Sequence, residues 1–236
     1  MNYKDRYQKW EKVARKYKID NSRIATFELT VQNVLKLLKN KKEGLALDIG
    51  CGFGYIDILL AKNTNFKIIA IDISDNALEN TKKNIDKSEF RERIIIEKED
   101  VYKLSYPNNY FDVIFSFGYS SAASYEEVAS EVARTLRPGG FLILDYINHH
   151  SLYKIFSLLE KYKKYRKNEL YSFNLKGIIK HFEKVGLSFV DRIYFNTYPP
   201  VLRNLIPIKL YLLIERTIGR LFRKILGRVI LVCFQK

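Results

Sequence analysis

The sequence is poor in cysteine, in histidine and in long apolar runs. Cys51 and Cys233 are the two cysteines among 236 residues, so no disulfide framework is expected and a reducing compartment is favoured. The three histidines form no cluster with acidic side chains, so we expect no metal site. No stretch approaches the roughly 18 uninterrupted apolar residues of a membrane span, and residues 1–7 are too polar for a signal peptide. These absences predict a cytoplasmic protein.

Acidic residues are scarce in the last third of the chain. Residues 1–150 hold 23 Lys and Arg against 21 Asp and Glu, whereas residues 151–236 hold 18 against 5. Almost all of the net charge of +15 therefore belongs to the second region. A local excess of this kind indicates an anionic partner, which would be a nucleic acid, an anionic membrane surface or an anionic substrate.

The chain does contain a glycine-rich turn between a short apolar run and a helical pattern. The run 45–49 leads into Gly50, Gly52 and Gly54, and a helical pattern follows at 56–61. This order predicts a strand, a tight turn and a helix N-terminus. Glycine permits positive φ and lets a ligand approach the backbone, while the first N–H groups of the helix have no helical partner. The turn is therefore a candidate ligand site.

The spacing and charge of this turn argue against a dinucleotide. A dinucleotide fingerprint needs Gly-x-Gly-x-x-Gly, so that a pyrophosphate can lie on the helix N-terminus. Here Tyr55 occupies the position of the third glycine, and Asp48 opens the turn. A carboxylate repels a pyrophosphate and attracts a cation. The turn therefore predicts a ligand that carries positive charge.

Four further apolar segments alternate with helical patterns after the turn. The predicted strands cover 66–73, 93–99, 111–117 and 137–145, and the predicted helices cover 75–87 and 126–136. This alternation predicts an α/β domain, with a doubly wound parallel sheet covered on both faces. The strand after the turn ends in Asp72, at the place where an acid accepts the two hydroxyls of a ribose. Ser74 or Asp75 is the expected N-cap of the helix that follows.

Together these landmarks resemble the class I S-adenosylmethionine (SAM) dependent methyltransferases, and most closely the small-molecule enzymes of ubiquinone and menaquinone biosynthesis. The Asp-x-Gly-x-Gly-x-Gly turn resembles their motif I, and Leu-Arg-Pro-Gly-Gly at 136–140 resembles the turn before their fifth strand. The resemblance implies a Rossmann-like sheet in which a seventh strand, 228–235, lies antiparallel between the fifth and the sixth.

The resemblance also implies SAM as cofactor, with S-adenosylhomocysteine as product. Asp100 is the residue expected at the adenine amino group. The full set of implied cofactor-binding residues in the core is Asp48, Gly50, Cys51, Gly52, Gly54, Asp72, Ile73, Asp100, Val101, Ser116 and Phe117.

Residues 1–40 carry two helical patterns, 3–17 and 22–38, ahead of the core. In many small-molecule methyltransferases such a segment forms a lid over the cofactor. On this interpretation Tyr17 covers the methionine portion and Arg23 pairs with its carboxylate. The alternative is that both are ordinary residues of an amphipathic helix.

Residues 148–236 follow the cofactor core of 41–147 within the same single domain. A basic helix is predicted over 152–167, and the last helix and the sixth strand over 172–194. Residues 196–227 then form an insertion before the seventh strand. Because loops above a scaffold carry specificity, this region is expected to face the substrate.

The insertion contains a helical period from 207 to 226, with basic residues on one face and apolar residues on the other. The basic residues are Lys209, Arg216, Arg220, Arg223 and Lys224, and the apolar ones are Leu210, Tyr211, Ile214, Ile218, Leu221, Phe222 and Ile225. Such a helix lies on an anionic membrane, here through 205–228 at the inner membrane face. It equally fits a lid packed on the domain or a homodimer interface.

Three side chains are candidates for a general base, which is needed if the acceptor is a hydroxyl. His149 and His150 follow the fifth strand, and Tyr119 follows the fourth, so all three lie near the carboxyl edge of the sheet. The alternative is that these loop residues are merely solvated.

The sequence predicts methyl transfer from SAM to the oxygen or carbon of a small, lipophilic acceptor. The first alternative is an RNA methyltransferase, specifically one acting on tRNA, which would use the basic C-terminal third. The second is a SAM-binding protein without catalytic activity, against which the complete turn and Asp72 argue.

Overall fold

The computed structural model describes residues 2–17, 19–118, 125–148, 150–152, 175–197 and 207–236. Its sheet has seven strands in the order β3-β2-β1-β4-β5-β7-β6. The strands are β1 (Glu43–Ile49), β2 (Asn65–Asp72), β3 (Ile94–Lys98), β4 (Phe111–Ser116), β5 (Leu136–Ile147), β6 (Ser188–Phe195) and β7 (Val229–Gln235). Strand β7 pairs antiparallel with both β5 and β6, and the first five strands are parallel. The predicted fold class is confirmed, including the place of the last strand.

Eight α-helices lie in the described part of the chain. They are α1 (Tyr3–Lys16), α2 (Asn21–Leu38), α3 (Tyr55–Asn63), α4 (Asp75–Ile85), α5 (Tyr125–Thr135), α6 (Leu175–Lys184), α7 (Ile208–Arg216) and α8 (Ile218–Leu226). Ser74 caps α4 by accepting from the N–H of Ala77, one of the two caps that the sequence predicts. None of these helices is both long and apolar enough to cross a bilayer.

The central strands are buried on both faces, which is why they read as continuous apolar runs. One core cluster packs α5 and α6 against one face, and the other packs α2 and α3 against the opposite face. Helix α2 is a layer of this second core, with Leu29, Val34 and Leu38 almost completely buried. Helices α1 and α8 contribute no described residue to either cluster, and α1 packs against α4.

The prediction of a single helix over 207–226 is wrong, because two helices, α7 and α8, form there. The break is at Thr217, whose hydroxyl donates back to the carbonyl of Leu213 at 2.9 Å. Glu215 is buried and accepts the N–H of Thr197 at 2.9 Å, which ties the end of α7 to the end of β6. A Cβ on Gly219 would lie 2.6 Å from the Thr197 hydroxyl oxygen, so the glycine allows this approach. We attribute the break between α7 and α8 to this contact of Glu215 with Thr197.

The sequence predicts a turn at 136–140 before the fifth strand, but these residues are already part of β5, which begins at Leu136. Gly139 has φ +77°, and the pairing with β4 shifts register between Phe111 and Val113. The turn is therefore an irregularity inside a strand. The basic helix predicted over 152–167 lies outside the described residues, apart from its first residue.

Candidate cofactor site

The glycine-rich turn between β1 and α3 has the backbone that its sequence predicts. Gly50, Gly52 and Gly54 all have positive φ, at +77°, +60° and +74°. The N–H groups of Gly50 and Cys51 both donate to the carbonyl of Ile71 in β2, at 2.8 and 2.9 Å. The turn is thus fixed to the neighbouring strand, and it is not a free loop.

Helix α4 holds the other side of the turn. The Thr81 hydroxyl donates to the carbonyl of Gly52 at 2.7 Å, and the Asn84 amide donates to that of Phe53 at 2.9 Å. A Cβ on Gly54 would lie 2.9 Å from the Thr81 methyl group, whereas one on Gly52 would meet nothing closer than 3.9 Å. Gly54 is therefore required for packing, and Gly52 leaves open space for a ligand. Nothing in the sequence marked Thr81 or Asn84 as part of the site.

Asp72 ends β2 as a buried carboxylate that backbone groups hold in place. One of its oxygens accepts the N–H of Gly52 at 3.2 Å and the other accepts that of Ser74 at 2.9 Å. Burial raises the pKa of Asp72, and the N–H donors of Ser74 and Gly52 oppose that rise. The side chain lines the cleft above the turn. It is oriented before any ligand arrives, with lone pairs left to accept hydroxyl groups.

Asp48 and Asp57 form a second acidic feature, deeper in the site. Both are buried, with 3% and 0% of their surface exposed. No N–H or O–H of another described residue reaches Asp48 Oδ1 or either oxygen of Asp57. Burial raises the pKa of Asp57 to about 7. Burial and the charge of Asp57 raise the pKa of Asp48 well above its ordinary range.

Two facing carboxyl groups can form a hydrogen bond with each other only when one of them carries a proton. Burial therefore favours the protonated form of these carboxyl groups, and a cation placed beside Asp48 would favour the ionised form. Asp48 lines the cleft. Sequence reasoning missed Asp57, because an acid in the first turn of a helix is an ordinary way to complement the helix dipole.

The cleft runs above the turn and is walled by three groups of residues. Helices α1 and α2 and their connection supply Arg6, Trp10, Val13, Ala14, Tyr17, Ile19 and Phe27. The turn and its flanks supply Asp48 to Phe53, Tyr55 and Ile56, and the strand ends supply Ile71 to Ser74, Ala77, Glu99 to Val101, Phe117 and Gly118. All of the core residues that the resemblance implies line the cleft, except Gly54 and Ser116.

Tyr17 and Arg23 occupy different positions relative to the cleft. Tyr17 lines it and packs edge-on against Phe53, with ring centroids 5.1 Å apart. Arg23 lies over the Tyr17 ring, with its guanidinium carbon 4.3 Å from the centroid. Arg23 therefore touches the site through Tyr17, and its pairing with a ligand carboxylate stays a prediction.

Asp100 has a partner that the sequence did not indicate. Its carboxylate forms an ion pair with Arg6 of α1, whose guanidinium carbon lies 4.0 Å from the centroid of the Tyr102 ring. Glu11 makes a second contact from α1, since it accepts the Ser74 hydroxyl at 2.7 Å. Burial alone would raise the pKa of Glu11, but hydrogen bonds from Ser74 and Asn76 outweigh it and leave that pKa below its usual value. Helix α1 is thus held beside the cleft by Arg6, which pairs with Asp100, and by Glu11, which binds Ser74.

Of the three candidate bases, His150 is the one that the structure describes. Tyr119 and His149 lie outside the described residues. His150 is exposed, and its backbone N–H donates to the side-chain oxygen of Asn148 at 3.1 Å. Asp145, which accepts the N–H of Gly118 at 2.7 Å, is a carboxylate at the same edge of the sheet that sequence reasoning assigned no role.

The residues present fit an organic cation that carries a sugar. Asp48 has an oxygen without a donor, Gly52 leaves space beside it, and Asp72 offers a fixed acceptor to hydroxyl groups. The remaining wall is largely aromatic and aliphatic. An anionic pyrophosphate would meet Asp48 and Asp72 with no lysine or arginine in the turn.

Comparisons with known proteins agree with this site. A family model for a methyltransferase domain matches residues 46–140. An uncharacterized protein of Methanocaldococcus jannaschii is 29% identical over 93% of this chain and 92% of its own length. Demethylmenaquinone methyltransferase of Symbiobacterium thermophilum is 32% identical over 41% of this chain, a match that spans 40% of that enzyme.

A solved structure of a SAM-dependent methyltransferase from Methanococcus maripaludis shares the fold. Its TM-score is 0.60 at 20% identity, with 80% of this chain and 89% of that chain covered. The matched domain model contains both the glycine-rich turn and the strand-end carboxylates, and the strand order extends the agreement to the whole sheet. The chain therefore contains a methyltransferase domain at residues 46–140, and its sheet has the fold of the SAM-dependent methyltransferases.

Proposed function

We propose that this methyltransferase transfers the methyl group of SAM to an oxygen or carbon atom of a small lipophilic acceptor. The observation that carries the proposal is the apolar wall that α1 and α2 set opposite the acidic turn. Trp10, Val13 and Phe27 face the cleft from this side. Such a wall stabilises an apolar acceptor by removing its surface from water.

Three acidic residues would bind different parts of SAM. Asp72, fixed by two N–H donors, would accept the ribose hydroxyls. Asp48 would complement the positive charge at the methionine end, and Asp100 would lie on the adenine side. SAM supplies an electrophilic methyl group on a positively charged sulfur. Tyr17 would close over the methionine portion, with Arg23 stacked behind it.

Methyl transfer of this kind is an in-line displacement, so positioning supplies most of the acceleration. The acceptor atom attacks the methyl carbon, the carbon–sulfur bond breaks, and the electron pair of that bond stays on sulfur. A hydroxyl acceptor must also lose its proton. Asp145 and His150 are the described groups at this edge of the sheet that could accept it. Helix α1 limits the access of water from above.

RNA is a second candidate acceptor, which the excess of basic residues after residue 150 favours. Against RNA, Leu210, Leu213, Leu221, Phe222 and Ile225 are exposed among the basic residues of α7 and α8. The phosphate backbone of RNA offers these apolar side chains no favourable contact. We therefore place the small lipophilic acceptor first.

The proposal is tested by titrating SAM and S-adenosylhomocysteine into the protein in a calorimeter. We expect micromolar binding that Asp72→Ala weakens at least tenfold. Asp86→Ala is the matched control, because Asp86 is exposed and pairs only with Lys82 in the described structure. Absence of binding to the unaltered protein would contradict the proposed cofactor site.

The acceptor is tested separately with SAM labelled in its methyl group. We expect label in the lipid and quinone fractions of a cell extract. Label in tRNA alone would overturn the acceptor class and leave the cofactor site intact.

A further inference from the structure

Helices α7 and α8 expose an unusual amount of apolar surface. Half of the ten large apolar side chains that are exposed in the described part of the chain lie on these two helices. Leu221, Phe222 and Ile225 form what we name the apolar stripe of α8, and Leu221 is 79% exposed. Leu152 adjoins the stripe, since its N–H donates to the carbonyl of Ile225 at 3.0 Å. An exposed apolar patch with charged neighbours marks an interaction surface.

The same two helices carry a cationic row, formed by Arg216, Arg220 and Arg223. Arg220 and Arg223 are three residues apart and lie on one side of α8, and Arg216 is the last residue of α7. The row lies close to Lys36 of α2, because burial and the charges of Arg223, Arg216 and Arg220 together lower the pKa of Lys36. Lys36 thus adds a fourth positive charge near the row, on the helix against which α7 packs.

No carboxylate balances this charge in the described part of the chain. Helix α8 contains no acidic residue, and Glu215, the one acid of α7, is buried against Thr197. Residues 153–174, which follow Leu152 in sequence, hold six Lys and Arg against two Glu. Because like charges held together are destabilising, the row is complementary to an anionic partner.

The stripe and the row occupy different sides of α8. At about 100° per residue, the three stripe residues fall within one arc of about 100°, and Arg220, Arg223 and Lys224 fall within the opposite one. A helix with a basic face and a Leu- and Phe-containing apolar face lies in the interface plane of an anionic membrane.

We propose that α7 and α8 dock this protein on an anionic phospholipid membrane, with the apolar stripe between the headgroups and the cationic row at the lipid phosphates. RNA would neutralise the row but leave the stripe in water. A second copy would cover the stripe but leave the row without an anionic partner. Only a lipid surface satisfies both features. This inference does not rest on the proposed acceptor, and its test involves no methyl transfer.

The test is co-sedimentation of the full chain with vesicles of phosphatidylglycerol and phosphatidylcholine, and with vesicles of phosphatidylcholine alone. We expect binding to the anionic vesicles that falls at least tenfold in Arg220→Glu/Arg223→Glu. A comparable fall is expected in Leu221→Ser/Ile225→Ser. Each lost basic contact near an anionic surface weakens binding by about fivefold, the equivalent of about 1 kcal/mol.

Matched controls come from the far end of the sheet. Lys67→Glu/Lys87→Glu changes the net charge equally at exposed lysines near β2 and β3, and Ile95→Ser removes an exposed apolar residue of β3. Both controls should bind as the unaltered protein does. Circular dichroism confirms that each variant is folded.

Three results would overturn the proposal. The first is no sedimentation with anionic vesicles. The second is binding that is lost with the row but unchanged without the stripe, together with tighter binding to tRNA, which would assign the surface to nucleic acid. The third is a dimer in sedimentation velocity that Leu221→Ser/Ile225→Ser dissociates, with no vesicle binding by the unaltered protein.

Discussion

The buried carboxylates of the cofactor site differ in the hydrogen-bond donors that surround them. Asp72 is buried with two N–H donors, which fix the orientation of its carboxylate. Asp48 Oδ1 and both carboxylate oxygens of Asp57 are buried with no donor from another described residue. The first carboxylate is preorganised for its ligand, whereas the pair is destabilising whenever both members are ionised. The site therefore stores a charge imbalance that a cationic ligand relieves.

Replacing Asp57 with Asn should make the stability of the ligand-free protein less dependent on pH. The pKa of Asp57 is about 7 when folded, against about 4 for an unfolded chain. Its stabilising contribution is therefore complete below about pH 4 and is lost as the pH rises through about 7. Between pH 6 and pH 8 we expect the Tm of the unaltered protein to fall by at least about 3 °C more than that of Asp57→Asn.

Thermal unfolding followed by circular dichroism at both pH values measures this difference. The other acids facing the pair, Asp72 and Asp145, are unchanged in the variant, as is Cys51. Asp86→Asn serves as an exposed control. Equal pH dependence in Asp57→Asn and the unaltered protein would show that the pair shares no proton.

At the scale of elements, α1 is the part of the site most separate from the core. It packs against α4 and reaches the cleft through Arg6 at Asp100 and Glu11 at Ser74. Helix α2, in contrast, is one of the layers that cover the sheet. Because α1 makes few contacts of its own, we expect it to open at lower free energy than the sheet.

Removing the Arg6 and Glu11 contacts of α1 should speed the dissociation of SAM. In Arg6→Ala/Glu11→Ala we expect dissociation about tenfold faster in stopped-flow fluorescence, and faster hydrogen exchange confined to α1. Lys12→Ala, on the exposed side of α1, should change neither. An unchanged dissociation rate in the double variant, with α1 exchanging faster, would mean that α1 does not cover the ligand.

At the scale of the whole molecule, β7 attaches the edge strand β6 to the rest of the sheet. It lies between β5 and β6, and Phe234 near its C-terminal end is completely buried. The Phe234 ring packs against Phe182 of α6 and Phe189 of β6, with centroids 4.8 and 6.2 Å away. The last strand therefore links residues that are far apart in sequence into one core.

Phe234→Ala should lower the free energy of unfolding by about 3–5 kcal/mol, because it removes a large side chain from a packed core. Urea unfolding followed by fluorescence measures the change. Val190→Ala, at a 38% exposed position of the neighbouring strand, should cost less than about 1 kcal/mol. A similar small loss in Phe234→Ala would mean that β7 is peripheral to stability.

The sequence by itself determined the order of strands and helices, the glycine-rich turn and the carboxylate at the end of β2. These features are local, because they follow from apolar periodicity and from backbone conformations that glycine adopts readily. Even the antiparallel β7 was predictable, since the family resemblance supplied its position.

Only the tertiary structure decided which side chains meet across the turn and across the cleft. Thr81, Asn84 and Asp57 join the site because α3 and α4 pack beside the turn. Arg6 reaches Asp100 across 94 residues of sequence. The break at Thr217 likewise depends on the buried contact of Glu215 with Thr197. Such contacts depend on how elements dock, and the pattern within one element contains no information about its partner.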